Sequence, residues 1–306
     1  MLLNHKDLLS IEHLSKDDLY TILKITKHFK DTSIKSFKKN DLLYGKTVAN
    51  LFCEPSTRTK TSFEIAAKKL SADVVNIDVN TSSILKGESL IDTGKTLEAM
   101  NINYIVVRHF FSGAPDILAK NLNISIINAG DGSHEHPTQG LLDLYTIYEK
   151  KKSFKGLKIL LIGDILHSRV AKSNIWALKK MDANVSVVGP PTLIPKNIVD
   201  LNVKVYYDLF EAIKDVDVVN VLRIQFERQK ENLLPSIEEY IEFYQLTKKK
   251  LNTAKSDVLI MHPGPVNRNI EISSDVVDSP SALINEQVTN GIAVRMAVLS
   301  LLKQKY

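Results

Sequence analysis

Short apolar runs alternate with helical patterns along the 306-residue chain, and each run ends in a polar cluster. Residues 47–52, 74–78, 104–107 and 124–127 read as strands in the first half. Residues 157–162, 185–188, 203–206, 217–222 and 257–261 do so in the second. Runs this short and this rich in apolar residues suit strands buried on both faces. Helical spacing of apolar residues fills the gaps, over 15–29, 59–70, 88–100, 114–120, 138–149 and 170–181. Alternation with short links predicts an α/β fold of two domains, each a parallel β-sheet flanked by helices. The expected boundary is the polar stretch 150–156, which gives domains at 1–150 and 151–284. A last helix, 285–303, follows the second sheet and is expected to return to the first domain.

Composition narrows the class. The chain is 44% hydrophobic and 25% charged, as in ordinary soluble proteins, and no apolar run approaches the roughly 18 residues of a membrane span. The N-terminal residues lack a signal-peptide layout. A single cysteine, Cys53, cannot form an internal disulfide, which fits a reducing cytoplasm. The net charge of +5 comes largely from lysine clusters at 150–152 and 248–250 that read as solvated helix ends. No nucleic-acid or membrane partner is therefore expected, while a modest positive field would favour small anions.

The strand at 47–52 leads into Ser56-Thr57-Arg58-Thr59 at the start of a helix. Free backbone N–H groups, the helix dipole, three hydroxyls and a forked cation there make a phosphate cradle. A helix cap alone needs only one hydroxyl. Cys53 lies beside it and is read as a small hydrophobe rather than a nucleophile. His134-Glu135-His136 looks at first like a metal site, but histidines at i and i+2 do not share a helical face, and no metal is expected. With Pro137 as the first helical residue, His136 and Gln139 flank a helix N-terminus; one can donate to a carbonyl oxygen, the other accept from an amide.

Lys86, in the loop after Ser82, reads by itself as a surface lysine. Ile162-Gly163-Asp164 follows a strand, yet the glycine spacing of a dinucleotide site is missing, so no NAD is expected. Arg169 and Arg223, with Gln225, stand at separate strand ends. Singly, each arginine reads equally as a surface ion pair; together they suit a dicarboxylate, one fork per carboxylate. The long polar stretch 225–250 reads as a lid.

The ordered set Ser56-Thr57-Arg58-Thr59, Lys86-Gly87-Glu88, Arg108-His109, His136-Pro137-Thr138-Gln139, Arg169, Arg223-Ile224-Gln225 and His262-Pro263-Gly264-Pro265 resembles the aspartate branch of the aspartate/ornithine carbamoyltransferase family. The resemblance spans nearly the whole chain. It implies that residues 1–150 bind carbamoyl phosphate and 151–284 bind L-aspartate. It implies that Ser56, Thr57, Arg58, Thr59 and Arg108 hold the phosphate, and that Arg58, Thr59 and His136 polarise the carbonyl. Gln139 and the carbonyls of Pro263 and Gly264 would hold the carbamoyl NH2. Arg169, Arg223 and Gln225 would bind the aspartate carboxylates. Ser82 and Lys86 would reach the site of a neighbouring subunit, in a cytoplasmic homotrimer with shared sites and no cofactor. Lys60 and Gly264 depart from common family residues; Lys60 keeps the charge, and Gly264 would act through its backbone. An ornithine-type acceptor and a catalytically silent homologue are the alternatives.

Overall fold

The computed structural model describes residues 2–34, 39–78, 87–225 and 236–303. Ser82, Lys86 and part of the expected lid lie outside them. In chain order the first half contains α1 (Lys16–Phe29), β1 (Thr47–Phe52), α2 (Thr57–Lys69), β2 (Asp73–Asp78), α3 (Leu90–Ala99), β3 (Tyr104–His109), α4 (Ala114–Asn121), β4 (Ser125–Asp131) and α5 (Pro137–Lys151). There follow β5 (Lys158–Ile162), α6 (Arg169–Lys180), β6 (Asn184–Val188), β7 (Lys204–Tyr206), α7 (Leu209–Ala212), β8 (Val218–Val221), α8 (Ile237–Tyr244), α9 (Lys248–Leu251), β9 (Leu259–Met261), α10 (Ser274–Val277) and α11 (Ile284–Leu301). The chain divides into two compact units, Met1–Tyr145 with Val288–Tyr306, and Thr146–Gln287.

In the first unit the sheet order is β2-β1-β3-β4, and every pairing is parallel. Ala49, Leu51, Ile105, Val107 and Ile126 are buried against Leu97 of α3 and Leu118 of α4. Burial of each larger aliphatic side chain contributes about 1.5–3 kcal/mol, which is why these runs carry no polar alternation. The chain runs from β1 to β2 on one side, then crosses to β3 on the other. The crevice outside the carboxyl ends of β1 and β3 is therefore the topological switch point, where open α/β sheets bind ligands. The end of α11 belongs to this unit: Leu3 N–H donates to the Leu301 carbonyl at 2.9 Å, and Arg295 stacks 5.0 Å over the Phe63 ring of α2.

In the second unit the order is β7-β6-β5-β8-β9, again parallel throughout. Leu160, Ile162, Val219, Val221, Ile260 and Tyr240 share its core. Here the strand order reverses between β5 and β8. Gly163, just past β5, has φ +115°, and a Cβ there would lie 2.8 Å from the Tyr240 hydroxyl. Only glycine allows both the turn and the contact.

Several element bounds differ from the sequence reading, and two of them lie beside the expected site. Helix α2 starts at Thr57, two residues early, because Ser56 takes the cap position with extended backbone. Strand β4 runs on to Asp131, through residues whose polarity reads as loop; a register shift between Val107 and His109 accommodates it. Residues Lys30–Ile34 form a π-helical turn that follows α1.

Candidate active site: two half-sites at the switch points

In each unit the described arginines and the Ser56–Thr59 turn stand at the ends of the strands that flank the switch point, and the other described candidates follow the neighbouring strand. In the first, Phe52 pairs with Arg108 in register, and Cys53 N–H donates to the Arg108 carbonyl at 2.8 Å. The Ser56–Thr59 turn and Arg108 thus leave adjacent strands together. Ser56 occupies the N-cap of α2, yet its hydroxyl caps nothing there. Thr57 and Arg58 are exposed and Thr59 is buried. Arg108 Nε lies 3.1 Å from Glu54 Oε2, both side chains largely buried. Among the described helices of eight or more residues, α1, α3, α4, α8 and α11 carry acidic residues in their first turns, whereas α2, α5 and α6 carry none. Those three begin with the Ser56 turn, with His136–Gln139 and with Arg169. An acid in the first turn would compete with an anionic ligand for the dipole and the free N–H groups.

Helix α5 opens at Pro137, as its fixed φ and missing N–H favour. His136 and Gln139 are both buried. Gln139 Nε2 donates to Asp143 Oδ1 at 2.9 Å, which fixes the amide orientation and leaves Oε1 as its acceptor end. An acceptor is what a carbamoyl NH2 requires.

The residues that shape the turn before α5 were not legible in the sequence. Fully buried Asp131 accepts from Gly113 N–H at 2.7 Å, Asn128 Nδ2 at 2.7 Å and Glu135 N–H at 3.2 Å, and pairs with His134 Nδ1 at 3.0 Å. Burial opposes its ionisation, but the hydrogen bonds from His134, Gly113 and Asn128 hold the carboxyl below its usual range. Buried Glu135 accepts Ile11 N–H at 3.0 Å and Glu12 N–H at 3.3 Å, clamping the N-terminal segment to the residue before His136. His134 therefore serves the turn. Asp116, Asp131 and His134 present ligand atoms within 4.8 Å of one another, but the Asp131 oxygens already take these donors.

Burial pushes the Cys53 thiol up to about 11, so it is protonated at neutral pH and is no nucleophile. Burial likewise lowers the His109 imidazole, whose Nδ1 accepts from Phe111 N–H at 3.0 Å.

In the second unit, β5 delivers Asp164, fully buried. Its carboxylate accepts His167 N–H at 3.1 Å and lies 3.0 Å from the His167 ring nitrogen. Burial raises its pKa, opposed by the His167 bonds and by the backbone N–H of Gln225. Asp164 thus ties the turn that leads into α6 to the exit of β8. Arg169 is the first residue of α6 and is buried; Ser168 caps that helix by accepting from Ala171 N–H at 3.1 Å. Arg223 and Gln225 are half-buried, and Gln225 Nε2 donates to the His167 carbonyl at 3.4 Å. Two arginines stand on adjacent strand exits, and Asp164, at the end of β5, is already hydrogen-bonded. Pro263 and Gly264 follow β9, next to β8 in the sheet. Gly264 has φ +62°, which accounts for glycine at this position.

The comparisons agree with this layout. Residues 6–149 match the model for the aspartate/ornithine carbamoyltransferase carbamoyl-P binding domain, and residues 155–302 match that for the Asp/Orn binding domain. The chain is 73% identical over 305 residues to the aspartate carbamoyltransferase catalytic subunit of Endomicrobium trichonymphae, covering 100% of this chain and 98% of that one. It is 54% identical over 302 residues to the catalytic subunit of Halothermothrix orenii, covering 99% and 96%. Among solved structures, aspartate transcarbamoylase from Trypanosoma cruzi in complex with N-(phosphonacetyl)-L-aspartic acid aligns with a TM-score of 0.89 at 31% identity, covering 98% and 96%. Ornithine carbamoyltransferase from Pyrococcus furiosus aligns with a TM-score of 0.87 at 31% identity, covering 99% and 98%. With both family models matched in order, over residues 6–149 and 155–302, the chain belongs to the aspartate/ornithine carbamoyltransferase family.

Proposed function

We propose that this chain transfers the carbamoyl group of carbamoyl phosphate to the α-amine of L-aspartate, giving N-carbamoyl-L-aspartate and phosphate, an early step of pyrimidine synthesis. The observation that carries the choice of acceptor is the second half-site. Arg169 and Arg223 leave neighbouring strands, and Asp164 is fully buried and occupied by His167 and Gln225. Two guanidinium forks suit two carboxylates, whereas ornithine would need a free acid for its side-chain amine. The 73% identity to a catalytic subunit named for aspartate points the same way.

In this reading Ser56, Thr57, Arg58, Thr59 and Arg108 hold the phosphate. Arg58, Thr59 and His136 stabilise the carbonyl oxygen as it becomes an oxyanion, each donor being worth about 3 kcal/mol. Gln139 Oε1 and the Pro263 and Gly264 carbonyls accept from the carbamoyl NH2. Arg169, Arg223 and Gln225 orient aspartate, whose amine attacks the carbonyl carbon; the C–O bond to phosphate breaks, and the departing phosphate takes the amine proton. Positioning two anionic substrates supplies an orientation term as well. Ser82 and Lys86 complete the site of a neighbouring copy in a cytoplasmic homotrimer. No described helix is long and apolar enough to cross a membrane.

Ureido-product formation from carbamoyl phosphate, measured separately with L-aspartate and L-ornithine, tests the proposal. Turnover with aspartate, exceeding that with ornithine by about a thousandfold or more, is expected of a site built on paired hydrogen-bonding forks. Turnover with ornithine alone would overturn it.

A further inference from the structure

The second unit contains a fully buried histidine–carboxylate pair that the reaction as described does not use. His262 Nε2 lies 3.1 Å from Glu271 Oε1, and neither side chain has any exposed surface. The other ring nitrogen, Nδ1, takes the N–H of Gly264 at 2.7 Å. A backbone N–H can only donate, so Nδ1 must carry a lone pair, and the proton sits on Nε2, donated to Glu271. The same Glu271 oxygen accepts from Asn267 N–H at 2.7 Å, and His262 N–H donates to Gln287 Oε1 at 2.9 Å.

These bonds enclose the turn 262–267 from both ends. His262 holds Gly264 from within it, and Glu271 holds both the ring and the far side at Asn267. Gly264, in the left-handed region, has no side chain to fix it otherwise. The direction in which the Pro263 and Gly264 carbonyls point is therefore set by one imidazole tautomer, and that tautomer by one carboxylate. Tyr240, which shares this core, is fully buried; its hydroxyl is pushed well up by burial and by the Glu271 charge, so it adds no second anion.

We propose that Glu271 and His262 are positioning residues that set selectivity for a carbamoyl over an acyl phosphate, by holding the Pro263 and Gly264 carbonyls where a substrate NH2 donates to them. This rests on the reading that those carbonyls face the carbamoyl NH2. Acetyl phosphate has the same phosphate and carbonyl but a methyl group in place of NH2, so it cannot use the two acceptors. A merely structural role would weaken all ligands together. A positioning role moves the preference for carbamoyl over acetyl phosphate and leaves inorganic phosphate alone.

The experiment compares the KM for carbamoyl phosphate with the inhibition constants of acetyl phosphate and inorganic phosphate, in wild type, Glu271→Gln and Glu271→Leu. Gln keeps an acceptor for His262 and Asn267, and the preference should stay within about threefold of wild type; Leu removes it, and the preference should fall about tenfold or more, as for one lost hydrogen bond to substrate. Phosphate inhibition should change by less than about twofold in both, since its donors lie in the other unit. An undiminished preference in Glu271→Leu overturns the positioning role. A wild type that does not prefer carbamoyl over acetyl phosphate overturns instead the reading of the carbonyls. Should Glu271→Leu fail to fold, nitrogen NMR of the wild-type imidazoles decides. A His262 ring with its proton on Nε2 and a bare Nδ1 between about pH 6 and 8 supports the pair; a proton on Nδ1 in that range contradicts it.

Discussion

Arg108 and Glu54 form an ion pair of 3.1 Å across the exits of β3 and β1, with little of either side chain exposed. Arg108, the strand-borne cation of the proposed phosphate site, is thus oriented by an acid one residue past Cys53. The partner that orients Arg108 also offsets part of its charge. Replacing Glu54 with Gln should leave a hydrogen-bond acceptor and remove the repulsion towards an incoming dianion. Inorganic phosphate should then bind about threefold to tenfold more tightly at low ionic strength, with the gain shrinking as salt is added. Calorimetric titration measures this; weaker binding would show that Glu54 acts only to orient.

The His134–Asp131 pair predicts a pH dependence of stability. The hydrogen bond to Asp131 raises the His134 pKa above its ordinary 6.5, so its contribution is fully present below that value and is lost as pH rises through the folded-state pKa. The Asp131 carboxyl is held below 3.8, so its contribution is present above that value and is lost as pH falls through its folded pKa. His134→Gln should therefore narrow its stability gap to wild type as pH rises beyond about 6.5, read from thermal melts at a series of pH values. A constant gap from acid to alkaline pH would contradict the pairing.

Cys53, with its thiol at about 11, should react slowly with iodoacetamide at neutral pH, and the rate should climb into the alkaline range without levelling near the usual thiol value. Cys53→Ala should keep kcat within about threefold, a small packing change beside the site being its main effect. Fast neutral alkylation with matching loss of turnover would return the thiol to the mechanism.

Sharing of sites between copies has its own signature. Arg58→Ala and Lys86→Ala chains should each be nearly inactive. A one-to-one mixture, dissociated and reassembled, should regain about a quarter of wild-type activity if random trimers place intact Arg58 and intact Lys86 at the same site. A mixture as inactive as its parents would show that Lys86 serves its own chain or none.

Much of the fold was legible because burial of parallel strands writes itself into the sequence. Residues 104–107, apolar throughout, and 47–52, apolar but for Thr47 and Asn50, read as central strands. The start of α2 was misjudged by two residues because Ser56 stands at the cap position without using its hydroxyl to cap, so the usual signal for a helix start is displaced. The end of β4 was missed because Gly130 and Asp131 look like turn residues, and only pairing with His109 keeps them in the strand.

The site divides in the same way. Arg58, with the hydroxyls around it, suggests an anion site locally, whereas Arg169 and Arg223 do so only as a pair. The acids that fix the turns beside them carry no such signal. Glu135 reaches the Ile11 amide across 124 residues of chain, Glu271 reaches His262 across 9, and Asp164 meets the Gln225 N–H from another strand. No local pattern encodes such contacts, since each depends on how the fold brings two separate turns together. Gly264 is intermediate: a departure in the sequence, explained only by its positive φ.

The central claim, that the first unit's cations hold carbamoyl phosphate and the second unit's hold aspartate, is tested most directly by steady-state kinetics of carbamoyl aspartate formation in wild type, Arg58→Ala and Arg223→Ala. Arg58→Ala should lose about a hundredfold to a thousandfold in kcat, as for removal of an oxyanion donor, while Arg223→Ala should chiefly raise the aspartate KM, by about a hundredfold, as for loss of a bidentate pair. Wild-type kinetics in either variant, or no carbamoyl aspartate from the wild type, would contradict the account.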